Sequence, residues 1–152
     1  MSKARIYIQS ILLPVLIGVI IGLITSSSMD YSTLIKPPLA PPGILFPIVW
    51  TILYVLMGVS YGILKSNKQT DDEINFIYYF QLGVNALWSI IFFNLKWRFF
   101  AFLWIILLII LVIDMIRKFY NKNQLAGLLQ IPYLVWIVFA AYLNFSIYLL
   151  NR

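Results

Sequence analysis

The chain contains no histidine and no cysteine. It therefore lacks the usual ligands for haem iron, zinc or copper, cannot form disulfides, and has no general base for Ser-His-Asp or Cys-His catalysis. Only five of its 152 residues are acidic, and no glycine-rich phosphate loop occurs. We expect no bound metal and no cofactor. Enzymatic activity stays open, because there is no acid–base or metal motif on which to judge it.

Charge is equally scarce. Charged residues make up 11% of the chain and hydrophobic residues 62%, with a mean hydropathy of +0.93. A soluble domain needs more polar surface than this. Several apolar stretches reach the length of about 20 residues that crosses a bilayer, and they are too uniformly apolar for barrel strands. The sequence predicts an all-α integral membrane protein, a single bundle of five transmembrane helices (residues 6–25, 45–64, 74–95, 99–116 and 125–150) forming one domain over residues 1–152.

The first apolar segment resembles a signal peptide in its basic start, but it is longer than an ordinary h-region and no A-x-A pattern follows it. We predict a retained helix. Gly18 and Gly22, like Gly58 and Gly62, form small-xxx-small pairs that allow helices to approach closely. Such pairs favour packing within the bundle, and a homodimer through the same faces stays open.

The basic residues are distributed unevenly between the two ends of the predicted bundle. Seven lie on the N-terminal side and four on the opposite side, which predicts a cytoplasmic N-terminus and an outside C-terminus in a bacterial cell membrane. The net charge of +6 favours anionic lipid headgroups or an anionic ligand. Because the cations form no patch, we expect no nucleic-acid partner.

The few acidic residues have structural explanations. The acidic run at residues 71–73 precedes the third helix, where negative charge is expected to cap the helix N-terminus. Asp114 lies inside an apolar stretch, but Arg117 and Lys118 follow at the spacing of helical ion pairs. We therefore predict a paired Asp114 rather than a proton-transfer site.

A stiff loop precedes the second helix. The segment KPPLAPPG ends the loop at residues 26–43, here called the lid loop, and its prolines fix their own φ and restrain the residues before them. Phe46, Trp50 and Tyr54 then recur at helical spacing in a stretch without charge. A rigid loop above an aromatic stripe predicts a ligand pocket at the membrane surface.

Polar and aromatic residues also align on two later helices. Asn85 and Trp88 share a face of the third helix, and Trp136, Ala140 and Asn144 share a face of the fifth. Each set has two interpretations: hydrogen bonds and packing between helices, or contact with a ligand. Together with the lid loop, these faces favour a pocket between the second, third and fifth helices.

These motifs, in this order and spacing, resemble the TspO/MBR family, the translocator proteins or peripheral-type benzodiazepine receptors, in a bacterial form. The resemblance covers nearly the whole chain. It rests on Tyr31, Leu34, Lys36-Pro37, Pro41-Pro42, Phe46, Val49-Trp50, Leu53-Tyr54, Met57-Gly58, Gln81-Leu82, Asn85, Trp88, Phe92-Phe93, Pro132-Tyr133, Trp136, Phe139-Ala140 and Leu143-Asn144.

The resemblance implies a membrane protein that binds porphyrins such as protoporphyrin IX, as well as isoquinoline carboxamide and benzodiazepine drugs. It also implies light-dependent porphyrin degradation in some bacterial members, with Trp50 and Trp136 at the catalytic positions. Carried over by motif, the ligand-binding residues are Tyr31, Pro41, Phe46, Trp50, Tyr54, Asn85, Trp88, Ser89, Trp136, Ala140 and Leu143.

The chain departs from the family pattern in its lid loop. Asp30 stands where many relatives carry Trp, and Leu39 and Gly43-Ile44 stand where relatives often carry further Trp residues. Two alternative functions stay open beside a sensor or carrier of tetrapyrroles. One is a small transporter of amphipathic anions, and the other is a regulatory stress-response protein that acts through a partner.

Overall fold

The computed structural model of the protein describes residues 2–152. Its long helices are α1 (Lys3–Ser26), α2 (Leu45–Ser66), α3 (Asp72–Ser89), α4 (Arg98–Lys122) and α6 (Ile131–Leu150), and a short α5 (Gln124–Leu128) precedes the last. A π-helical turn at Ile90–Asn94 extends α3, and a 3₁₀ turn at Tyr31–Thr33 lies in the lid loop. Within residues 2–152, five helical segments are long and apolar enough to cross a membrane. The prediction of an all-helical integral membrane protein is confirmed.

Capping and ion pairs extend two helices beyond their apolar stretches. The Ser2 side chain accepts a hydrogen bond from the Arg5 amide at 3.2 Å, so α1 begins before residue 6. The sequence predicted that α4 ends at residue 116, but the helix continues to Lys122. Its charged last turns stay helical because Lys118 pairs with Asp114 at 2.8 Å, and Lys122 reaches Asp71 at 2.9 Å.

The last predicted helix is interrupted between α5 and α6. Pro132 follows directly after the break, and its ring would clash with the carbonyl of residue 128 in a continuous helix. The backbone of the two residues at the break, Leu129 and Gln130, stays in the right-handed helical region, so the interruption is local. In α5, Gly127 packs against the end of α4, where an added Cβ would lie 2.6 Å from the Cβ of Tyr120.

The helices form a ring in which α1 packs on α2 and α3, and α4 packs on α3, α5 and α6. On the remaining side α2 contacts α5, where the Ser60 hydroxyl donates to the Ala126 carbonyl at 2.6 Å. The tightest crossing is between α1 and α2. An added Cβ at Gly58 would meet the Ser10 carbonyl oxygen at 2.7 Å and the Ile11 backbone, and one at Gly62 would meet the Tyr7 ring at 2.8 Å. The pair in α2 thus serves packing within the chain.

The acidic residues take the structural roles that the sequence predicts. Asp71 is the N-cap of α3, and its carboxylate accepts a hydrogen bond from the Ile74 amide at 2.9 Å. That bond and the Lys122 ammonium hold the pKa of Asp71 below its ordinary value. Asp114 accepts a hydrogen bond from Lys118 at 2.8 Å, as the spacing of the two residues predicts.

Hydrogen bonds hold the lid loop in place at several points along its proline segment. The Tyr31 hydroxyl donates to the Pro41 carbonyl at 2.6 Å, and the Tyr142 hydroxyl of α6 donates to the Pro38 carbonyl at 2.8 Å. The Asn151 side chain accepts from the Ile35 amide at 2.9 Å and donates to its carbonyl at 2.8 Å. Residues from the end of α6 therefore hold the lid loop in place.

An ion pair attaches the start of the lid loop to α4. Two nitrogen–oxygen contacts of 2.8 and 2.9 Å join Arg98 to the Asp30 carboxylate, and Lys96 lies 3.5 Å from it. Partial burial would raise the pKa of Asp30. The hydrogen bond and charge of Arg98, with the charge of Lys96, outweigh that effect and hold the pKa below its ordinary value of 3.8.

We expect Gly58→Ala to lower the free energy of unfolding by about 1–3 kcal/mol, because its methyl group would force α1 and α2 apart. Thermal unfolding in detergent, followed by circular dichroism, measures the change. Gly83→Ala is the matched control, since nothing lies within 4 Å of an added Cβ there. Equal melting temperatures for the two variants would contradict the close α1–α2 contact.

We expect Asp30→Asn to lower the melting temperature near neutral pH and to flatten its dependence on pH in the acid range. Because the folded pKa of Asp30 is depressed, its stabilising contribution is complete above about pH 3.8 and is lost as the pH falls through the folded value. Melting curves of wild type and Asp30→Asn between about pH 6 and about pH 3 test this. The two curves should converge at the acid end, and a constant gap would refute the ion pair's role.

Candidate functional site

A cavity of about 670 Å³, here called the main cavity, lies below the lid loop between α1, α2, α3 and α6. Its walls come from residues 15–25 of α1, 46–54 of α2, 88–93 at the end of α3, and 140–147 of α6. Each of these ranges belongs to the half of its helix near the lid loop. The volume lies within the range of about 300–1,000 Å³ that is typical of small-molecule sites.

Aromatic rings line much of the main cavity. Trp50 stacks on Tyr54 with ring centroids 5.5 Å apart, and Phe46 meets Tyr31 of the lid loop edge-on at 5.0 Å. On α3, Trp88 faces the same cavity. Flat aromatic walls of this kind favour a planar, apolar ligand, which can stack on the ring faces or meet their edges.

The polar groups at the base of the main cavity are already hydrogen-bonded to one another. The Tyr54 hydroxyl donates to Asn85 Oδ1 at 2.7 Å, and Asn85 Nδ2 donates to the Tyr133 hydroxyl at 2.8 Å. Tyr133 in turn donates to Gln81 Oε1 at 2.8 Å. All of these side chains are buried. The chain of bonds supports the cavity wall and uses both ends of the Asn85 amide.

A second hydrogen-bonded chain connects the cavity wall with the lid end of α4. Trp88 Nε1 donates to Asn144 Oδ1 at 3.0 Å, and Asn144 Nδ2 donates to the Arg98 carbonyl at 2.8 Å. The Arg98 side chain then pairs with Asp30. The Trp88 ring is thereby bonded to Asn144, which in turn is bonded to Arg98, the residue that attaches the lid loop.

One side of the main cavity is open between α1 and α2. Val19 and Ile44 line the cavity but are 54% and 70% exposed, and Pro47 and Thr51 are exposed lining residues as well. Below this gap, Gly18 receives the Tyr54 ring, whose Cε2 would lie 2.6 Å from an added Cβ. Helices α1 and α2 are thus in close contact at Gly18 and Tyr54, and they lie further apart where the main cavity opens.

The structure brings most of the sequence-predicted ligand-binding residues together around the main cavity. Those that line it are Tyr31, Phe46, Trp50, Tyr54, Trp88, Ser89, Ala140 and Leu143. They come from the lid loop, α2, α3 and α6, the elements to which the sequence motifs assigned the pocket.

The remaining predicted residues lie just outside the main cavity. Asn85 sits behind Tyr54 in the hydrogen-bonded chain. Trp136 packs edge-on against Phe46, with ring centroids 5.8 Å apart. Its buried indole N–H has no partner among residues 2–152. Of the two predicted catalytic tryptophans, therefore, Trp50 lines the cavity and Trp136 is one ring removed from it.

Pro41 lines a second cavity of about 500 Å³ instead, here called the outer cavity. It lies on the other side of Tyr31, whose hydroxyl is bonded to the Pro41 carbonyl at 2.6 Å. Pro41 thus helps to position Tyr31, and Tyr31 borders both cavities.

The sequence motifs did not indicate the contribution of α1. This helix lines the main cavity with Val15, Gly18, Gly22 and Thr25, among others, and none of these was predicted as a site residue. Their only signal was the small-xxx-small pair, because a small residue leaves room for a ligand as readily as for a helix.

Comparison with known proteins agrees with this architecture. The model of the TspO/MBR family matches residues 10–150 of the chain. The tryptophan-rich protein TspO of Archaeoglobus fulgidus is 41% identical over 147 residues, which cover 95% of each chain. The tryptophan-rich sensory protein of Cereibacter sphaeroides is 33% identical over 80% of this chain and 76% of its own length.

A vertebrate relative matches as well. The translocator protein of Ovis aries is 31% identical over 127 residues, which cover 80% of this chain and 75% of that protein. The resemblance that the sequence motifs indicated is confirmed over most of the chain. With its five spanning helices and its match to the family model, the chain belongs to the TspO/MBR family and is an integral membrane protein.

Proposed function

We propose that the protein binds a planar amphipathic tetrapyrrole of the protoporphyrin IX class in the main cavity, as a sensor or carrier. The observation that carries this proposal is the cavity itself: about 670 Å³, walled by Trp50, Tyr54 and Trp88 and closed above by the lid loop. A porphyrin has an extended π face, and such a ring gains most from stacked and edge-on aromatic contacts.

The chemistry of the chain favours a metal-free ring. Without histidine or cysteine, the cavity lacks the side chains that most often ligate haem iron. Binding must then come from the ring's faces and edges rather than from its centre. Isoquinoline carboxamide and benzodiazepine compounds fit the same reasoning, because they too are planar and largely apolar.

The extent of the main cavity supports a binding protein over an open channel. Its lining stops at Tyr54 on α2 and begins at Trp88 on α3. In the other half of the described bundle, Met57, Leu64 and Ile137 are fully or almost fully buried and fill the interior. The names of relatives include a sensory protein and a translocator protein. Liposome flux along a ligand gradient is therefore the measurement that separates a carrier from a sensor.

We expect saturable binding when the purified protein is titrated with protoporphyrin IX in the dark, followed by tryptophan quenching. Trp50→Leu should weaken binding roughly two- to twelvefold, which corresponds to an aromatic contact of about 0.5–1.5 kcal/mol. Trp97→Leu is the control, because Trp97 is 57% exposed and lies outside the lining. Absence of saturation, or equal losses in both variants, would contradict the proposed site.

The same titration under illumination in aerated buffer tests for porphyrin breakdown. Trp50→Phe and Trp136→Phe are compared with wild type by the loss of the porphyrin absorption band. Loss faster than that of free porphyrin, and abolished in both variants, would make the protein an enzyme. Loss at the rate of free porphyrin would leave it a sensor or carrier.

We further propose that the N-terminus faces the cytoplasm and the lid loop faces outward in a bacterial cell membrane. The support is the excess of basic residues on the N-terminal side, seven against four. Because the chain has no cysteine, single cysteines report orientation cleanly. In intact cells a membrane-impermeant maleimide should label Ser32→Cys and leave Lys68→Cys unlabelled until the cells are lysed, and the reverse pattern would overturn the orientation.

A further inference from the structure

The outer cavity adjoins the main cavity across the lid loop. The two cavities share Met29, Tyr31 and Gly43 as lining residues, and the Tyr31 ring stands at their boundary. The main cavity is apolar and aromatic, whereas the outer cavity is walled by Lys36 and Ser32 as well as by prolines. A ligand that occupied both would therefore meet an apolar compartment followed by a basic one.

Lys36 is an unpaired cation in the wall of the outer cavity. Its ammonium group lies 4.9 Å from the centroid of the Tyr31 ring and donates to the Leu34 carbonyl at 3.2 Å. Within residues 2–152, no carboxylate comes within ion-pair distance of it. Two other basic residues at this end of the bundle differ, because Lys96 and Arg98 both pair with Asp30.

The surroundings of Lys36 favour an anion from outside the chain. Contact with the Tyr31 ring face and with one backbone carbonyl positions the ammonium group while leaving donor capacity unused. The side chain is half-buried, and a charge-assisted hydrogen bond gains strength where water is partly excluded. A carboxylate attached to an apolar body in the main cavity would reach this group beside Tyr31.

We propose that the outer cavity is an anion subsite in which Lys36 binds a carboxylate of the ligand whose apolar body occupies the main cavity. Tyr31 separates the two compartments and sets the distance between the ring system and the carboxylate. The proposal deepens the proposed function and rests on it for the position of the apolar body. It makes Lys36 the residue that selects acids over their neutral analogues.

The test compares protoporphyrin IX with its dimethyl ester in nanodiscs of zwitterionic lipid, so that no anionic headgroup competes for Lys36. Wild type should bind the acid roughly two- to fivefold more tightly than the ester, as expected for a partly exposed charge pair. Lys36→Gln should remove this preference by weakening acid binding while leaving ester binding unchanged, and Lys36→Arg should retain it. Arg152→Gln, which makes the same change in net charge at the same end, should behave as wild type.

A second pair of probes separates failure of the subsite from failure of the proposed function. Pyrenebutyrate and pyrenebutanol differ in the same way and need no porphyrin site. If neither porphyrin saturates, the proposed function fails, and a Lys36-dependent preference for pyrenebutyrate would still support the subsite. If acid and neutral analogue bind equally in every pair that binds, or Lys36→Gln leaves the preference intact, or no probe binds, the subsite is overturned.

Discussion

The hydrogen-bonded chain from Tyr54 through Asn85 and Tyr133 to Gln81 is the interaction on which the cavity depends. It joins α2, α3 and α6 at the base of the main cavity. In a bilayer, helices gain little from hydrophobic association because lipid tails are as apolar as their side chains. Specific polar bonds and close backbone contact must hold the bundle together instead. A cavity can persist above such a base because the helices beneath it are fixed in position.

Tyr54 belongs to both the base and the wall. Its ring stacks on Trp50 and fills the space that Gly18 leaves on α1, while its hydroxyl starts the hydrogen-bonded chain. The Tyr54 side chain thus takes part both in the close α1–α2 contact and in the wall of the main cavity. This arrangement explains why Asn85, although it lies close to the cavity, is turned to Tyr54 and Tyr133 rather than into the cavity.

The lid loop contains an ion pair that the sequence analysis did not predict. At that stage the family resemblance implied that Asp30 replaces a Trp, which suggested only a loss of aromatic surface. In the structure Asp30 pairs with Arg98, whose carbonyl accepts a hydrogen bond from Asn144, the partner of Trp88. An ionic contact therefore attaches the lid loop at a point that is also connected to the cavity wall.

The sequence predictions were right where a feature depends on neighbouring residues and wrong where it depends on contacts between distant parts of the chain. Hydropathy and helical spacing are local, so they predicted the five spanning segments and the aromatic face of α2. The extension of α4 was missed because it depends on ion pairs such as that of Lys122 with Asp71, which is the N-cap of another helix. The break before α6 was missed although Pro132 was noticed, because no charged residue interrupts the stretch and hydropathy does not register the backbone hydrogen bond that a proline removes.

The sequence by itself determined the class of protein, because backbone hydrogen bonds in hydrocarbon must be satisfied within helices, and it determined which residue types are available for binding. Only the tertiary structure decided which of them meet. Asn85 is turned to Tyr54 and Tyr133, Trp136 packs behind Phe46, and α1 supplies a cavity wall of which the sequence indicated only the small residues. These outcomes depend on how side chains from distant parts of the chain share one interior volume, and no local pattern in the sequence specifies that arrangement.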